Sequence, residues 1–103
     1  MSKEKVYISA PITGFDLDER KRYFGDIAAT LKLHGYEPVN PMKNGVPLDA
    51  DVKEHLRVDF RNLLDCDYIL LCDGWENSRG CQKEASLALW CGIPMLPKKE
   101  IGL

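Results

Sequence analysis

The sequence lacks any apolar run that approaches the roughly 18 residues needed to span a membrane. Its first residues, Met1-Ser2-Lys3-Glu4-Lys5, lead into a short strand and not into the apolar core of a signal peptide. We therefore expect a cytoplasmic protein that has no membrane partner.

An excess of charge of one sign is also missing. Lys and Arg together number 14 and Asp and Glu 16, which gives a formal net charge of −2, and no basic block interrupts this balance. The chain therefore lacks the electrostatic footprint of a protein that binds nucleic acid. A small molecule is the expected partner.

The cysteines match no zinc or redox pattern. The four of them, Cys66, Cys72, Cys81 and Cys91, are spaced six, nine and ten residues apart. His34 and His55 have no second ligand at metal spacing. We expect no metal and no cofactor. We expect reduced cysteines in the core. Cys81 is the candidate exception, because a helix N-terminus lowers a thiol pKa.

Short apolar segments alternate with helical patterns along the chain. Strands are predicted at residues 6–9, 36–39, 68–72 and 93–96, and helices from about residue 16 to 34, 52 to 64 and 79 to 90. With 103 residues the chain is expected to form one domain, residues 1–103. The order predicts a flavodoxin-like or Rossmann-like three-layer α/β/α fold, with a parallel sheet of four to five strands in the order 2-1-3-4.

The predicted ligand edge lies where the first and third strands end. The loops that follow these strands are residues 10–14 and 74–80, and the third helix begins directly after the second loop. A helix N-terminus at this edge points unpaired N–H groups toward a ligand. Glu84, one turn into the helix, would then face that ligand.

Three segments carry a resemblance to a known family. They are Tyr7 to Gly14 (YISAPITG), Asp59 to Asp67 (DFRNLLDCD) and Gly74 to Glu84 (GWENSRGCQKE). In order and spacing the chain resembles the nucleoside 2-deoxyribosyltransferase-like superfamily, which includes nucleotide N-glycosidases, from about Val6 to Leu96. It is most similar to a short branch with a Gly-Trp-Glu-x-Ser loop.

The resemblance implies cleavage or transfer at the N-glycosidic bond of a (deoxy)nucleoside or nucleotide. Such a reaction needs one carboxyl group for the anomeric carbon and one for the departing base. Glu84 takes the place of the nucleophile that forms a glycosyl-enzyme, Asp59 that of the proton donor, and Tyr7 that of the residue that orients Glu84. Substrate contacts are implied for Ser9, Ala10, Pro11, Gly14, Gly74, Trp75, Ser78 and Gly80.

A homodimer or higher homo-oligomer is also expected. A sheet of four strands leaves an exposed edge, and members of the family complete their pockets with residues of a neighbour. The sequence does not indicate which residues cross between subunits.

The chain departs from the family pattern in its two loops. Ala10 replaces the usual Gly, and Ser78 stands six residues before Glu84, where the transferases carry an aspartate. A serine there suits a phosphate, as in the monophosphate N-glycosidases, but Pro11 and Thr13 occupy the places of their phosphate-binding serine and arginine. The 5′-phosphate, the base, the sugar and the choice between transfer and hydrolysis stay open.

Each residue also has a structural interpretation. Carboxylates such as Glu84 and Asp59 are usually solvated. Ser78 fits a helix cap. Aromatic residues such as Tyr7 and Trp75 usually pack in a core. The alternative function is a noncatalytic nucleotide-binding module on the same fold. A phosphoacceptor receiver domain is disfavoured, because no acidic pair ends the first strand.

Overall fold

A computed structural model describes residues 3–103, and in it parallel strands are flanked by helices. The strands are β1 (Lys5–Ser9), β2 (Glu37–Val39) and β3 (Tyr68–Leu71), and the helices are α1 (Leu17–Leu33), α2 (Val52–Leu64) and α3 (Arg79–Trp90). Short 3₁₀ turns occupy Pro41–Lys43, Trp75–Asn77 and Lys98–Ile101. The predicted bounds of the second and third helices are confirmed.

β1 is the central strand of a sheet with the order β2-β1-β3. Both neighbours run parallel to it: Lys5 pairs with Glu37, and Ser9 pairs with Leu71. Val6, Tyr7 and Ile8 are completely buried, as expected of a parallel strand that is covered on both faces. The parallel α/β fold predicted from the sequence is therefore confirmed.

Alternate residues of β1 enter two separate cores. Val6 and Ile8 pack in one cluster with side chains of α1, including Phe24 and Leu31. Tyr7 packs in the other with side chains of α2 and α3, which are represented there by Leu63 and Ala88. Helix α1 therefore covers one face of the sheet, and α2 and α3 cover the other.

The predicted fourth strand does not form, so the described residues give three strands and not the four to five expected. Residues 93–96 make one isolated parallel bridge, between Ile69 and Met95. Ile69 donates its N–H to Pro94 at 3.0 Å and accepts from Leu96 at 2.9 Å. Pro94 has no N–H with which to extend this ladder, and at Pro97 the chain turns into the last 3₁₀ turn.

Side-chain caps place the start of each helix. Asp16 accepts from the N–H of Glu19 at 3.0 Å, and Asp51 accepts from that of Lys53 at 3.3 Å. Ser78 caps α3 by accepting from Cys81 N–H at 3.3 Å. Because these side chains satisfy N–H groups that the helix itself leaves unpaired, they fix the residue at which each helix begins.

The loops after β1 and β3 touch at the carboxyl edge of the sheet. Gly74 has φ +88°, and a Cβ added there would lie 3.1 Å from Cγ of Pro11. Gly14 has φ +89°, but a Cβ there would meet no atom within 4 Å. The two glycines therefore share a left-handed backbone, but only Gly74 is pressed against the other loop.

We expect Gly74→Ala to destabilise the protein more than Gly14→Ala. The left-handed conformation costs an alanine about 1–2 kcal/mol at either position, and at residue 74 the contact with Pro11 adds to that cost. Urea denaturation of both variants measures the difference in the free energy of unfolding. Equal losses would show that the contact between the loops contributes nothing.

Candidate functional site

Two side chains at the end of β1 hold the carboxylate of Glu84. Tyr7 and Ser9 are two residues apart on the strand and so point to the same face, toward α3. The Tyr7 hydroxyl donates to Oε2 of Glu84 at 2.5 Å, and the Ser9 hydroxyl donates to Oε1 at 2.8 Å. Both oxygens of the carboxylate are therefore fixed by the central strand.

The surroundings of Glu84 change its acidity. Burial and the negative charge of Asp59 raise the pKa of Glu84 to about 7. The hydrogen bonds from Tyr7 and Ser9 oppose this rise. Burial and the charge of Glu84 raise the pKa of Tyr7 well above its usual range, so the phenol stays a donor. A carboxyl group that titrates near neutral pH, held by two donors, suits a chemical role.

Asp59 lies on α2 and is held by the connection between β2 and α2. Nδ2 of Asn44 donates to Oδ1 of Asp59 at 3.0 Å and lies 3.3 Å from Nδ1 of His55. Burial raises the pKa of Asp59, whereas the Asn44 hydrogen bond and His55 lower it. The second predicted carboxyl group is thus partly desolvated and near enough to Glu84 for the two charges to interact.

Two cavities open at the carboxyl edge of the sheet. The first, of about 470 Å³, surrounds the N-terminus of α3 and is lined by Pro11, Thr13, Phe15, Gly74, Asn77, Ser78, Arg79 and Gly80. The second, of about 440 Å³, is lined by Ile12, Thr13, Leu17, Pro41, Met42, Asn44, Val46, Leu48, Val52, His55, Leu56 and Asp59. Thr13 belongs to both, so the loop after β1 separates them.

The predicted site residues fall into four groups. Glu84, Tyr7 and Ser9 form the hydrogen-bonded centre and line neither cavity. Asp59 lines the second cavity, and the residues at the first are Pro11, Gly74, Ser78 and Gly80. The remaining three, Ala10, Gly14 and Trp75, line neither cavity.

Those three residues lie elsewhere for different reasons. Ala10 is buried in the core that α1 covers. Trp75 packs on the opposite core and lines an apolar groove of about 310 Å³ beside Ile93. Gly14 supplies a turn, and nothing lies within 4 Å of where its Cβ would be.

Arg20 is a residue of the site region that the sequence interpretation missed. Its guanidinium is buried between the rings of Phe15 and Tyr23, 4.3 and 4.4 Å from their centroids, and donates to the carbonyl of Pro11 at 3.2 Å. Glu19 pairs with it at 2.5 and 2.7 Å. A signal was present, since Arg20 occupies the same helical stripe as the buried apolar side chains of α1.

Asn44 and His55 were also missed. His55 was noted in the sequence only as lacking a second ligand at metal spacing, but its Nε2 lies 3.0 Å from the carbonyl oxygen of Pro47 and its Nδ1 faces Asn44. No periodic pattern marks such a contact, because Asn44 lies in an irregular connection. Within residues 3–103 no group of three His, Cys, Asp or Glu side chains could hold a metal ion.

The cysteines agree with expectation at three of four positions. Cys66, Cys72 and Cys81 are buried, whereas Cys91, after the end of α3, is exposed and so corrects the prediction of a core position. Burial raises the pKa of Cys81, which outweighs the opposing effect of hydrogen bonds with Ser78 and Ser9. Cys81 is therefore a packing residue and not an activated thiol.

A family model described as "Domain of unknown function (DUF4406)" matches residues 4–96. The chain belongs to this family. No curated protein matches it. Among the residues that the structure describes, no helix of this DUF4406 chain is long and apolar enough to cross a membrane.

Solved structures share the fold of this DUF4406 chain. A 2-desoxiribosyltransferase from Leishmania mexicana superposes with a TM-score of 0.71 and 21% identity, over 90% of this chain and 62% of that one. A conserved protein from Enterococcus faecalis V583 gives 0.69 and 23%, over 91% and 62%. At these identities the likeness shows a shared fold, and the chain spans 62% of the length of each of these structures.

The raised pKa of Glu84 links folding to pH. Below its ordinary value of 4.5 the carboxyl is neutral in both the folded and the unfolded chain, and as the pH rises the unfolded chain ionises first. The folded protein therefore loses ~3 kcal/mol of stability as the pH passes from 4.5 to about 7.

The amide of Glu84→Gln cannot ionise. We therefore expect the difference in the free energy of unfolding between Glu84→Gln and the wild type to favour the variant by about 2–3 kcal/mol more at pH 8 than at pH 4. Urea denaturation at both pH values measures the difference. Glu54→Gln, at an exposed position of α2, is the control for exchanging a carboxylate for an amide. The same effect of Glu84→Gln at both pH values would contradict the prediction.

Proposed function

We propose that this protein cleaves or transfers at the N-glycosidic bond of a (deoxy)nucleoside or nucleotide through a covalent glycosyl-glutamate intermediate on Glu84. One observation carries the proposal: a partly buried carboxylate is held by Tyr7 and Ser9 at the carboxyl edge of the sheet, and the charge of a second partly buried carboxyl group, Asp59, acts on it. The fold shared with a 2-desoxiribosyltransferase supports it.

The two carboxyl groups answer the two charges of the reaction. As the bond between the anomeric carbon and the base nitrogen breaks, its electron pair leaves with the base and positive charge develops on the sugar. An oxygen of ionised Glu84 forms a bond to the anomeric carbon, and protonated Asp59 gives its proton to the base. Water or a second base then gives a proton to ionised Asp59 and attacks the same carbon, whose bond to Glu84 breaks, and the result is hydrolysis or transfer.

The acidities of the two groups suit these roles. A pKa of about 7 leaves about half of Glu84 ionised at neutral pH, and each oxygen keeps a lone pair beyond the one engaged by Tyr7 or Ser9. Burial raises the pKa of Asp59, which increases the fraction that carries a proton to donate. Tyr7 and Ser9 orient the nucleophile and do not themselves exchange protons.

The two cavities divide the substrate between them. The second cavity is mostly apolar with Asp59 in its wall, a lining that suits a nucleobase. The first cavity presents the N-terminus of α3 and Ser78, a lining that suits the sugar hydroxyls or a 5′ substituent. Thr13, shared by both, stands where the two parts of the substrate would join.

A panel of deoxynucleosides, ribonucleosides and their monophosphates tests the activity. We expect release of the base from at least one compound, a loss on the order of 10⁴-fold or more in Glu84→Ala, and a loss of about 10²–10⁴-fold in Asp59→Asn. Glu76→Gln is the control, because Glu76 is an exposed carboxylate in the loop that precedes α3.

Two results would end this proposal: no base released from any member of the panel, or full activity in Glu84→Ala. A slowly turned-over 2-fluoro nucleoside examines the intermediate directly. Mass spectrometry should find the sugar attached to the peptide that contains Glu84, and should find none in Glu84→Ala. Comparing nucleosides with monophosphates in the same panel decides whether the first cavity takes a phosphate.

A noncatalytic nucleotide-binding module is the second candidate. The observation that favours it is that both oxygens of Glu84 are engaged and that the residue lines neither cavity. Calorimetry separates the two functions: a module would bind nucleotide equally well in Glu84→Gln and would release no base.

A homodimer or higher homo-oligomer in the cytoplasm is part of the proposal. At the end of α3, Leu89 and Trp90 are 80% and 85% exposed, and Met95 nearby in sequence is 62% exposed. Exposed apolar side chains of this size favour self-association. Sedimentation equilibrium measures it, and a monomer at high concentration would refute it.

A further inference from the structure

Asn44 joins three parts of the site through one side chain. Its Nδ2 donates to Oδ1 of Asp59 at 3.0 Å and lies 3.3 Å from Nδ1 of His55, and its Oδ1 accepts from the N–H of Val46 at 2.9 Å. The amide thus closes a turn in the connection before α2 and reaches two residues on the helix itself.

The partners fix the direction of each hydrogen bond. The carbonyl of Pro47 can only accept, so His55 carries its proton on Nε2 and leaves Nδ1 as an acceptor. Asn44 can therefore give one N–H to His55 and the other to Asp59, and reversing the amide would leave Val46 without its acceptor. The polar atoms of Asn44 and His55 are all engaged.

Asp59 keeps one oxygen for a ligand. Its Oδ1 is occupied by Asn44, and across residues 3–103 no side chain or backbone group donates to Oδ2. Asp59 lies in the wall of the second cavity together with Asn44 and His55. A substrate in this cavity therefore meets a polar cluster in which Asp59 alone has an unused oxygen.

We propose that Asn44 is a positioning residue for Asp59, holding its carboxyl group in one orientation so that Oδ2 is presented to the substrate, and that His55 holds Asn44 in turn. The chemical use of Oδ2 as the proton donor to the base rests on the proposed function. The positioning itself rests only on the hydrogen bonds and on the cavity.

The charged neighbours of Asp59 lie on three elements. The negative charge of Asp59 acts on Glu84 of α3 and on Tyr7 of β1, and His55, one turn away on α2, lowers the pKa of Asp59. Burial raises the pKa of Asp59, and the bond from Asn44 is the larger of the two opposing effects. Loss of that donor therefore raises the pKa of Asp59.

Asn44→Asp is the sharpest variant. An aspartate still accepts from Val46 N–H and so keeps the turn, but it cannot donate to Asp59 and places a like charge beside it. Asn40→Asp is the matched control, because Asn40 also closes a turn, by accepting from Met42 N–H at 2.9 Å, and does not line the cavity. Asn44→Ala removes the donor without adding charge.

Two measurements follow, one of which is independent of activity. Carbon-detected NMR of the carboxyl groups should show the Asp59 titration at higher pH by about one unit or more in Asn44→Asp, in the same direction but by less in Asn44→Ala, and unchanged in Asn40→Asp. For base release, kcat should fall about 10- to 100-fold in Asn44→Asp with a smaller change in KM, and the pH profile of kcat should move with the Asp59 titration.

An Asp59 titration in Asn44→Asp that matches the wild type and Asn40→Asp would overturn the positioning role, whatever the activity. A shifted titration in a protein that releases no base would support the positioning and end the proposed function. A loss of affinity alone, with kcat and its pH profile unchanged, would show that Asn44 only shapes the cavity and would also overturn the proposal.

Discussion

The candidate site depends on a partly buried carboxylate where β1 meets α3. Glu84 would be costly to desolvate alone, and the donors on Tyr7 and Ser9 offset part of that cost. The three residues can meet only if β1 is central and α3 lies across the face that its odd-numbered residues present. The strand order and the packing of α3 therefore bring these three residues together, and their contact sets the surroundings in which Glu84 titrates.

The candidate site has a hydrogen-bonded centre and two cavities. Glu84 lines neither cavity, whereas Asp59 and the N-terminus of α3 lie in their walls. A substrate that fills both cavities would cross the loop at Thr13. This arrangement separates the group that would bond to a sugar from those that would recognise its ends, so binding and chemistry can change independently.

Sequence reasoning reached the parts of this molecule that follow from periodicity and caps. The bounds of α2 and α3 follow from apolar periodicity and from capping side chains, whereas the closeness of Tyr7 to Glu84 was implied by the family resemblance. The predicted fourth strand does not form because Pro94 lacks the N–H that would extend the ladder of hydrogen bonds. The apolar pattern of residues 93–96 does not compensate for this loss. Arg20 and Asn44 were missed because their partners are set by tertiary folding, which leaves no repeat in the sequence.

The contact of Arg20 with the loop after β1 has a different consequence. Arg20 keeps its charge throughout the physiological pH range. Its hydrogen bond to the carbonyl of Pro11 and its contacts with the rings of Phe15 and Tyr23 therefore do not vary with pH. Glu84 titrates within that range. The loop after β1 therefore keeps its contacts under conditions in which the centre of the site changes charge, so in the proposed reaction acidification would remove the ionised nucleophile without releasing this loop.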